Sequence, residues 1–419
     1  MTLISPGGAG PPRGATVGTW LVVVGAASAL AITLAPSGDH SAAQELARQL
    51  DLRDFILNLG LLVPVGAGLG LRRWPLWAVL ACALLLSGGI ELLQLLLPIG
   101  RDANLLDIVA NTAGAGMAAW VAPRIPQALG VSATTARWLV AGTLLAWCVQ
   151  LVLTACALQR DMPVTPQYYG QWSHVFTNMV ALAGEVTDFS IQGRPIPDDV
   201  LPDTDALRAA LAAGDSVTVF VTVTDLGPSP GRAQVAGVSS DAGDLVTGVE
   251  REGCRIRFRW RTRGERLGLR PLSVTLPTSC DLESGVTTIS GRASHASLAI
   301  AAAWGGEVRQ ATLALTPSLG WRLFVERGWR GGAWDVVGSI VWLALWGAPL
   351  ALWLQAAWPR NVVGSLLLYV VGLLGATFLV GLASGLAMGT PGDLVGAALG
   401  WWVGVGRGWK RPLGARPIS

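Results

Sequence analysis

The chain has 419 residues, 52% of them hydrophobic and only 14% charged, with a mean hydropathy of +0.50. A protein at home in water carries roughly a quarter of its residues charged, so a purely soluble protein is excluded. The formal charge of +3 is built with one lysine among 30 basic residues, a poor match to the clustered basic surface of a nucleic-acid binder, and no nucleic-acid partner is expected.

Apolar stretches recur at 19–35, 55–71, 75–97, 105–121, 138–157, 336–358, 362–386 and 394–406. Backbone polar groups in hydrocarbon must be satisfied within the segment that carries them, so each stretch reads as a helix. The expectation is a polytopic α-helical membrane protein of about eight transmembrane helices. The last stretch is short for a full crossing, and seven spans is the alternative. Of the 57 charged residues, 35 fall between Gln159 and Ala333. Three parts follow: a five-helix transmembrane region at 1–158, a polar inserted domain at 159–333, and a C-terminal region at 334–419 with two or three helices and a basic tail.

Charge asymmetry orients the spans. With a cytoplasmic N-terminus, the cytoplasmic segments hold Arg13, Arg72, Arg73, Arg124, Arg137, Arg360, Arg407, Lys410, Arg411 and Arg416 and no acid. The opposite side holds Asp39, Glu45, Asp51, Asp54, Asp102 and Asp107 with only Arg48, Arg53 and Arg101. This positive-inside pattern predicts a multi-pass cell-membrane protein whose residues 159–333 are extracytoplasmic.

The most informative residues of the membrane part are polar ones in apolar helices. Asn58 lies early in the second helix. Glu91 and Gln94 are three apart in the third, and Asp107 and Asn111 are four apart in the fourth, so each pair shares a face. An ionised carboxylate in hydrocarbon is costly, and Glu91 is expected to face a partner or a wet cavity. In the predicted orientation all of these lie in the outer third of the membrane. Arg101, in the connection before the fourth helix, can reach Asp107 or an anionic group through its forked guanidinium. Glycines at 60, 66, 68, 70, 114 and 116 permit close helix crossings or line a groove for an amphiphile, and the sequence leaves both open. The histidines His40, His174 and His295 have no second ligand at metal-binding spacing, and neither a metal nor a cofactor is expected.

In the inserted domain, strands are predicted at 216–224, 233–238, 255–262, 272–276, 286–289, 297–302, 310–315 and 322–325, with a short helix at 203–213 capped by Asp203 or Thr204. Many short strands between Gly, Pro, Asp and Ser turns indicate an all-β sandwich. Arg255, Arg257, Arg259 and Arg261 line one face of their strand. Like charges so placed require acids nearby or an anionic ligand, and an anionic polymer or phospholipid surface is the candidate ligand. Cys254 and Cys280 are expected to form a disulfide in an oxidising compartment.

Asp54-Phe-Ile-Leu-Asn58 with Pro64 and Gly66, then Glu91-Leu-Leu-Gln94, then Arg101 through Asp107, Asn111 and Gly114, resemble the VanZ-like membrane family over residues 18–121. The family takes its name from resistance to a glycopeptide antibiotic, and its biochemical activity is undefined. The resemblance implies a cell-envelope role and an ordered polar cluster at these positions. The stretch 393–400 echoes 107–114 but lacks an Asn matching Asn111. Residues 230–239 followed by 255–262 are similar to a concanavalin- or laminin-G-like domain, which implies a glycan or protein partner without identifying it.

The leading expectation is a protein that binds a lipid or lipid-linked headgroup at a polar cleft formed by Asn58, Glu91, Gln94, Arg101, Asp107 and Asn111. The alternatives are a membrane enzyme acting on an envelope lipid with Glu91 and Asp107 as acid and base, and a lipid transporter.

Overall fold

The computed structural model describes residues 13–33, 52–96, 104–124, 131–176, 179–277, 285–324 and 333–408. They divide into two compact units, Met1–Val131 and Ser132–Ser419, so the fifth expected span falls in the second unit.

The first unit is helical: α1 (Arg13–Thr33), α2 (Leu52–Leu61), α3 (Val63–Leu71), α4 (Leu76–Leu96) and α5 (Leu105–Val121). Leu62 breaks α2 from α3, and Pro64 occupies the first turn of α3, where its missing N–H has no helical partner to lose. The glycines serve close packing. A Cβ added at Gly66 would stand 2.6 Å from the carbonyl carbon of Ala115, and one at Gly70 would stand 2.5 Å from the Ala119 carbonyl oxygen. On the other side of α3, a Cβ at Gly68 would stand 2.5 Å from the Gly18 carbonyl oxygen. Backbones therefore meet where side chains would stand, which is how helices associate without a hydrophobic driving force. Leu62, Val65, Leu69, Val79, Ala83, Ala115 and Ala119 fill the interior.

The second unit opens with α6 (Ala133–Leu158) and continues, among the described residues, into eleven strands arranged as two antiparallel sheets. One sheet runs β1 (Tyr168–Trp172), β5 (Ser229–Ser240), β6 (Leu245–Gly253), β7 (Arg255–Trp260), β8 (Leu272–Pro277). The other runs β11 (Glu307–Ala314), β10 (Ser297–Trp304), β9 (Val286–Ser294), β4 (Ser216–Thr224), β2 (Glu185–Ile191), β3 (Arg194–Pro195). The alternation of β4 buries Val217, Val219, Val221 and Val223, and that of β7 buries Ile256, Phe258 and Trp260 in the same core. Gly291 of β9 lies where a Cβ would strike the Phe258 ring, so the sheets pack face to face. Between β3 and β4, α7 (Thr204–Ala213) is capped by the Asp203 carboxylate, which accepts from Ala206 N–H.

The chain leaves the sheets through a buried 3-10 turn, Pro317–Leu323. Helix α8 (Ala333–Ala357) follows, then α9 (Val362–Val370) and α10 (Ala376–Ser384) joined by a π-helical turn, then α11 (Pro391–Gly408). Gly396, Gly400 and Gly404 recur every four residues along α11 and meet the backbone of α8 at Ile340, Gly347 and Ala348. The Tyr369 hydroxyl ties α9 to this pair by donating to the Ala397 carbonyl at 2.6 Å.

Two expectations are corrected. Among the described residues six helices, not eight, are long and apolar enough to cross a membrane: Asp54–Leu71, Leu76–Leu96, Leu105–Arg124, Ala133–Leu158, Asp335–Ala357 and Val362–Ser384. The apolar runs of the other two, Val17–Leu30 in α1 and 394–406 in α11, reach only about 20 Å at the helical rise against a hydrocarbon core of about 30 Å. The strand expected at 322–325 is replaced through Leu323 by the 3-10 turn, because Trp321, Arg322 and Leu323 are all buried and the period-two signal came from neighbours on different sides of a helical turn. The expected Cys254–Cys280 disulfide falls on Cys280, which lies outside the described residues.

Candidate functional site

Helices α4 and α5 meet along a polar seam. On α4, Ser87, Glu91 and Gln94 fall at i, i+4 and i+7, one face of a helix, and all three are buried. At α5, the N-cap Asn104, Asp107 and Asn111 fall at i, i+3 and i+7, again one face. The two rows are joined by two hydrogen bonds. Asn111 Nδ2 donates to Ser87 Oγ at 2.9 Å. One turn further along α4, Glu91 Oε2 accepts from the backbone N–H of Asn104 at 2.6 Å.

The second bond has a plain physical cause. The first N–H groups of a helix lack intrahelical acceptors and carry its partial positive charge. Asn104 is the N-cap of α5, its side chain accepting from Leu106 N–H at 3.1 Å, and Glu91 supplies an acceptor to the N-cap's own backbone. Glu91 is only 7% exposed. Asp107 stands half-buried in the first turn of α5, again at the positive helix end. Gln94 turns toward α1, with Nε2 donating to the Thr33 carbonyl at 3.3 Å.

Asn111 is 1% exposed, and its Oδ1 has no hydrogen-bond partner. Leaving such an acceptor buried and unmet costs about 1–3 kcal/mol. Asn58 lies half-buried on α2, next to Leu59, whose backbone is the surface met by Gly114 of α5. Asn58 therefore sits on the helix that flanks α5 one turn from Asn111. Arg101 lies outside the described residues.

Glu91, Gln94 and Asn111 thus occur on one seam with Asp107 beside it. Ser87, Asn104 and Thr33 were not singled out in the sequence. Ser87 is four residues before Glu91 and Asn104 immediately precedes an apolar helix, so same-face spacing and N-cap preference were the signals available. The seam is rich in acceptors, with one carboxylate committed to a helix end and one amide carbonyl uncommitted. No group of three or more His, Cys, Asp or Glu side chains that could hold a metal occurs among the described residues.

In the β region the arginine stripe lies among acids. Arg257 is 3.5 Å from Glu252, Arg259 is 2.7 Å from Glu265, and Arg261 contacts Asp161 at 3.2 Å and Asp244 at 3.0 Å. Asp161, just beyond α6, also receives Arg266. Arg232 on neighbouring β5 grips buried Glu250 with two bonds of 2.6 and 3.0 Å. Burial pushes the Glu250 carboxyl up, but Arg232 foremost, then Arg259 and Arg257, outweigh it and hold it below the ordinary value. For Glu265 burial wins, and the carboxyl lies above its ordinary value despite Arg259.

Residues 20–126, which contain the whole seam, match the VanZ/LLP1 family model. No curated protein and no solved structure matches the chain. No match reaches the β region, and nothing found there supports the expected concanavalin- or laminin-G-like fold.

Proposed function

We propose that this membrane-embedded, VanZ-like protein binds a lipid or lipid-linked headgroup at the α4–α5 seam. The observation that carries the reading is the uncommitted Oδ1 of Asn111, an acceptor in an apolar helix whose neighbours Ser87 and Glu91 are already engaged. A buried amide carbonyl that pays for isolation is satisfied by a ligand donor, a hydroxyl or amine of the headgroup. Glu91 orients the start of α5, Gln94, Asp107 and Asn58 border the site, and Arg101 takes the anionic part of the headgroup. The division into 1–158, 159–333 and 334–419, the cytoplasmic N-terminus and the extracytoplasmic β region are parts of the same proposal, supported by the distribution of bases and acids along the chain. In the β region the acids near Arg257, Arg259 and Arg261 favour a stripe stabilised internally, with Arg255 left as the contact for an anionic surface.

The test is lipid retention. The full chain extracted in native nanodiscs is expected to carry a tightly held envelope lipid, identified by mass spectrometry. Asn111→Ala lowers its retention about tenfold, the loss of one buried hydrogen bond. Glu91→Gln keeps an acceptor for Asn104 while removing the charge, and lowers retention by a similar factor if the headgroup carries an amine. Equal lipid content in the native chain and in Asn111→Ala would refute the assignment.

A further inference from the structure

A second apolar feature lies in the other unit, between α6 and α8. Trp138, Gly142, Thr143 and Ala146 on α6 face Trp346 and Pro349 on α8 across an open groove of about 490 Å³, within the size range of small-ligand sites. Leu139 and Leu345 complete its lining. Trp138 is 76% exposed, so the groove opens away from the protein. Both helices are candidate membrane spans, and its surroundings are hydrocarbon.

Charge marks one end. Arg137, the residue before Trp138, is exposed and holds its guanidinium over the Trp358 ring, 5.6 Å from the centroid, beyond the end of α8. From Trp138 to Ala146 the groove runs roughly 12 Å along α6 at the helical rise, from the depth of Arg137 toward the middle of the bilayer. A cation at headgroup depth continuous with an apolar channel pointing inward is complementary to one molecule with the opposite layout, a phosphate followed by an acyl chain.

We propose that this groove is a binding site for an anionic phospholipid, with one acyl chain lying along Gly142 and Ala146 between Trp138 and Trp346 and the phosphate at Arg137. The site is separate from the α4–α5 seam and does not depend on what that seam binds.

The structure supplies a clean variant. A Cβ added at Gly142 meets nothing within 4 Å, and leucine is a far better helix former than glycine, so Gly142→Leu fills the groove while leaving the fold intact. The full chain is placed in nanodiscs of phosphatidylcholine containing phosphatidylglycerol with a diazirine in one acyl chain, irradiated, and mapped by peptide mass spectrometry. Adducts are expected at 138–146 and 345–349 above the level at Val152 and Leu153, lipid-exposed positions further along α6. Gly142→Leu brings them down to that level, and Arg137→Gln lowers them about fivefold, the effect of one basic residue at an anionic surface. Groove adducts no more frequent than at Val152 and Leu153, or unchanged by Gly142→Leu, overturn the site. Equal labelling by a phosphatidylcholine probe, indifferent to Arg137→Gln, overturns the role of the phosphate. Protein–protein crosslinks from a photoreactive residue at position 142 would show that a helix occupies the groove, and would overturn the proposal.

Discussion

Gly114→Ala is expected to loosen the helix packing of the first unit and expose it to protease. The added Cβ would lie within the van der Waals shell of the Leu59 carbonyl oxygen and 2.8 Å from its carbonyl carbon. Backbone cannot rotate aside as a side-chain tip can, so α2 must back away from α5. The neighbouring approaches of Gly66 to Ala115 and Gly70 to Ala119 lie on the same seam of helices and would open with it. Overpacking a tight site costs 1–3 kcal/mol or more, and a contact made wholly of backbone lies at the upper end, about 3 kcal/mol. Gly60→Ala and Gly88→Ala are the controls: nothing lies within 4 Å of either added Cβ, and alanine for glycine in a helix is worth up to about 1 kcal/mol of stabilisation. Protease protection of 52–124 in detergent distinguishes the variants, and Gly114→Ala matching Gly60→Ala would contradict the backbone-to-backbone packing.

The second large effect is expected at Arg232. Removing one partner of a buried, bidentate ion pair leaves the other charge stranded, at a cost of about 3–5 kcal/mol. Arg257 and Arg259 still face Glu250, which places Arg232→Met near the lower bound, about 3 kcal/mol, measured as increased proteolysis of the β region in the full chain. Arg232→Met with Glu250→Leu regains most of this, because an apolar pair of similar volume needs no compensation. The pH dependence has a fixed sign. The carboxyl of Glu250 is held below its unfolded value, so its stabilisation is complete above the usual carboxylate range and is lost as pH falls through the folded-state value. Glu265, raised in the fold, acts in the opposite sense: its contribution is present below the unfolded value and fades as pH rises through the folded one. Glu250→Gln should therefore flatten the acid limb of the native chain's stability profile, whereas Glu265→Gln should steepen it.

The parts of the fold legible in the sequence were those where one face alone meets the core. Strand β4 spans Ser216–Thr224 as its valine alternation requires, and Asp203 caps α7. Strand β6 was invisible because both of its faces are covered. Glu250 and Arg251 are adjacent and both buried, and two charges in a row read as a solvated loop until the partner of Glu250 is known to be Arg232 on another strand. Strand β2 carries a register shift between Val186 and Asp188, which breaks the alternation that would have announced it.

The seam was legible for a different reason. A carboxylate and two amides in apolar helices are conspicuous wherever they point, and helical spacing puts Glu91 with Gln94 and Asp107 with Asn111. Nothing in the sequence says that Glu91 bonds a helix end or that Asn111 meets Ser87, because both contacts cross between helices. Glycine roles were ambiguous for the same reason: whether Gly66 and Gly114 line a groove or a contact depends on a neighbour, here backbone in both cases.

The most direct measurement is a structure of the full chain determined in lipid retained from its own membrane. Non-protein density within about 3.2 Å of Asn111 Oδ1, continuing past Glu91 toward the connection that holds Arg101 and joining an acyl chain, is the expected result. A protein donor on that oxygen, or a lone water with no lipid beyond it, would mean that the seam serves only to join α4 to α5.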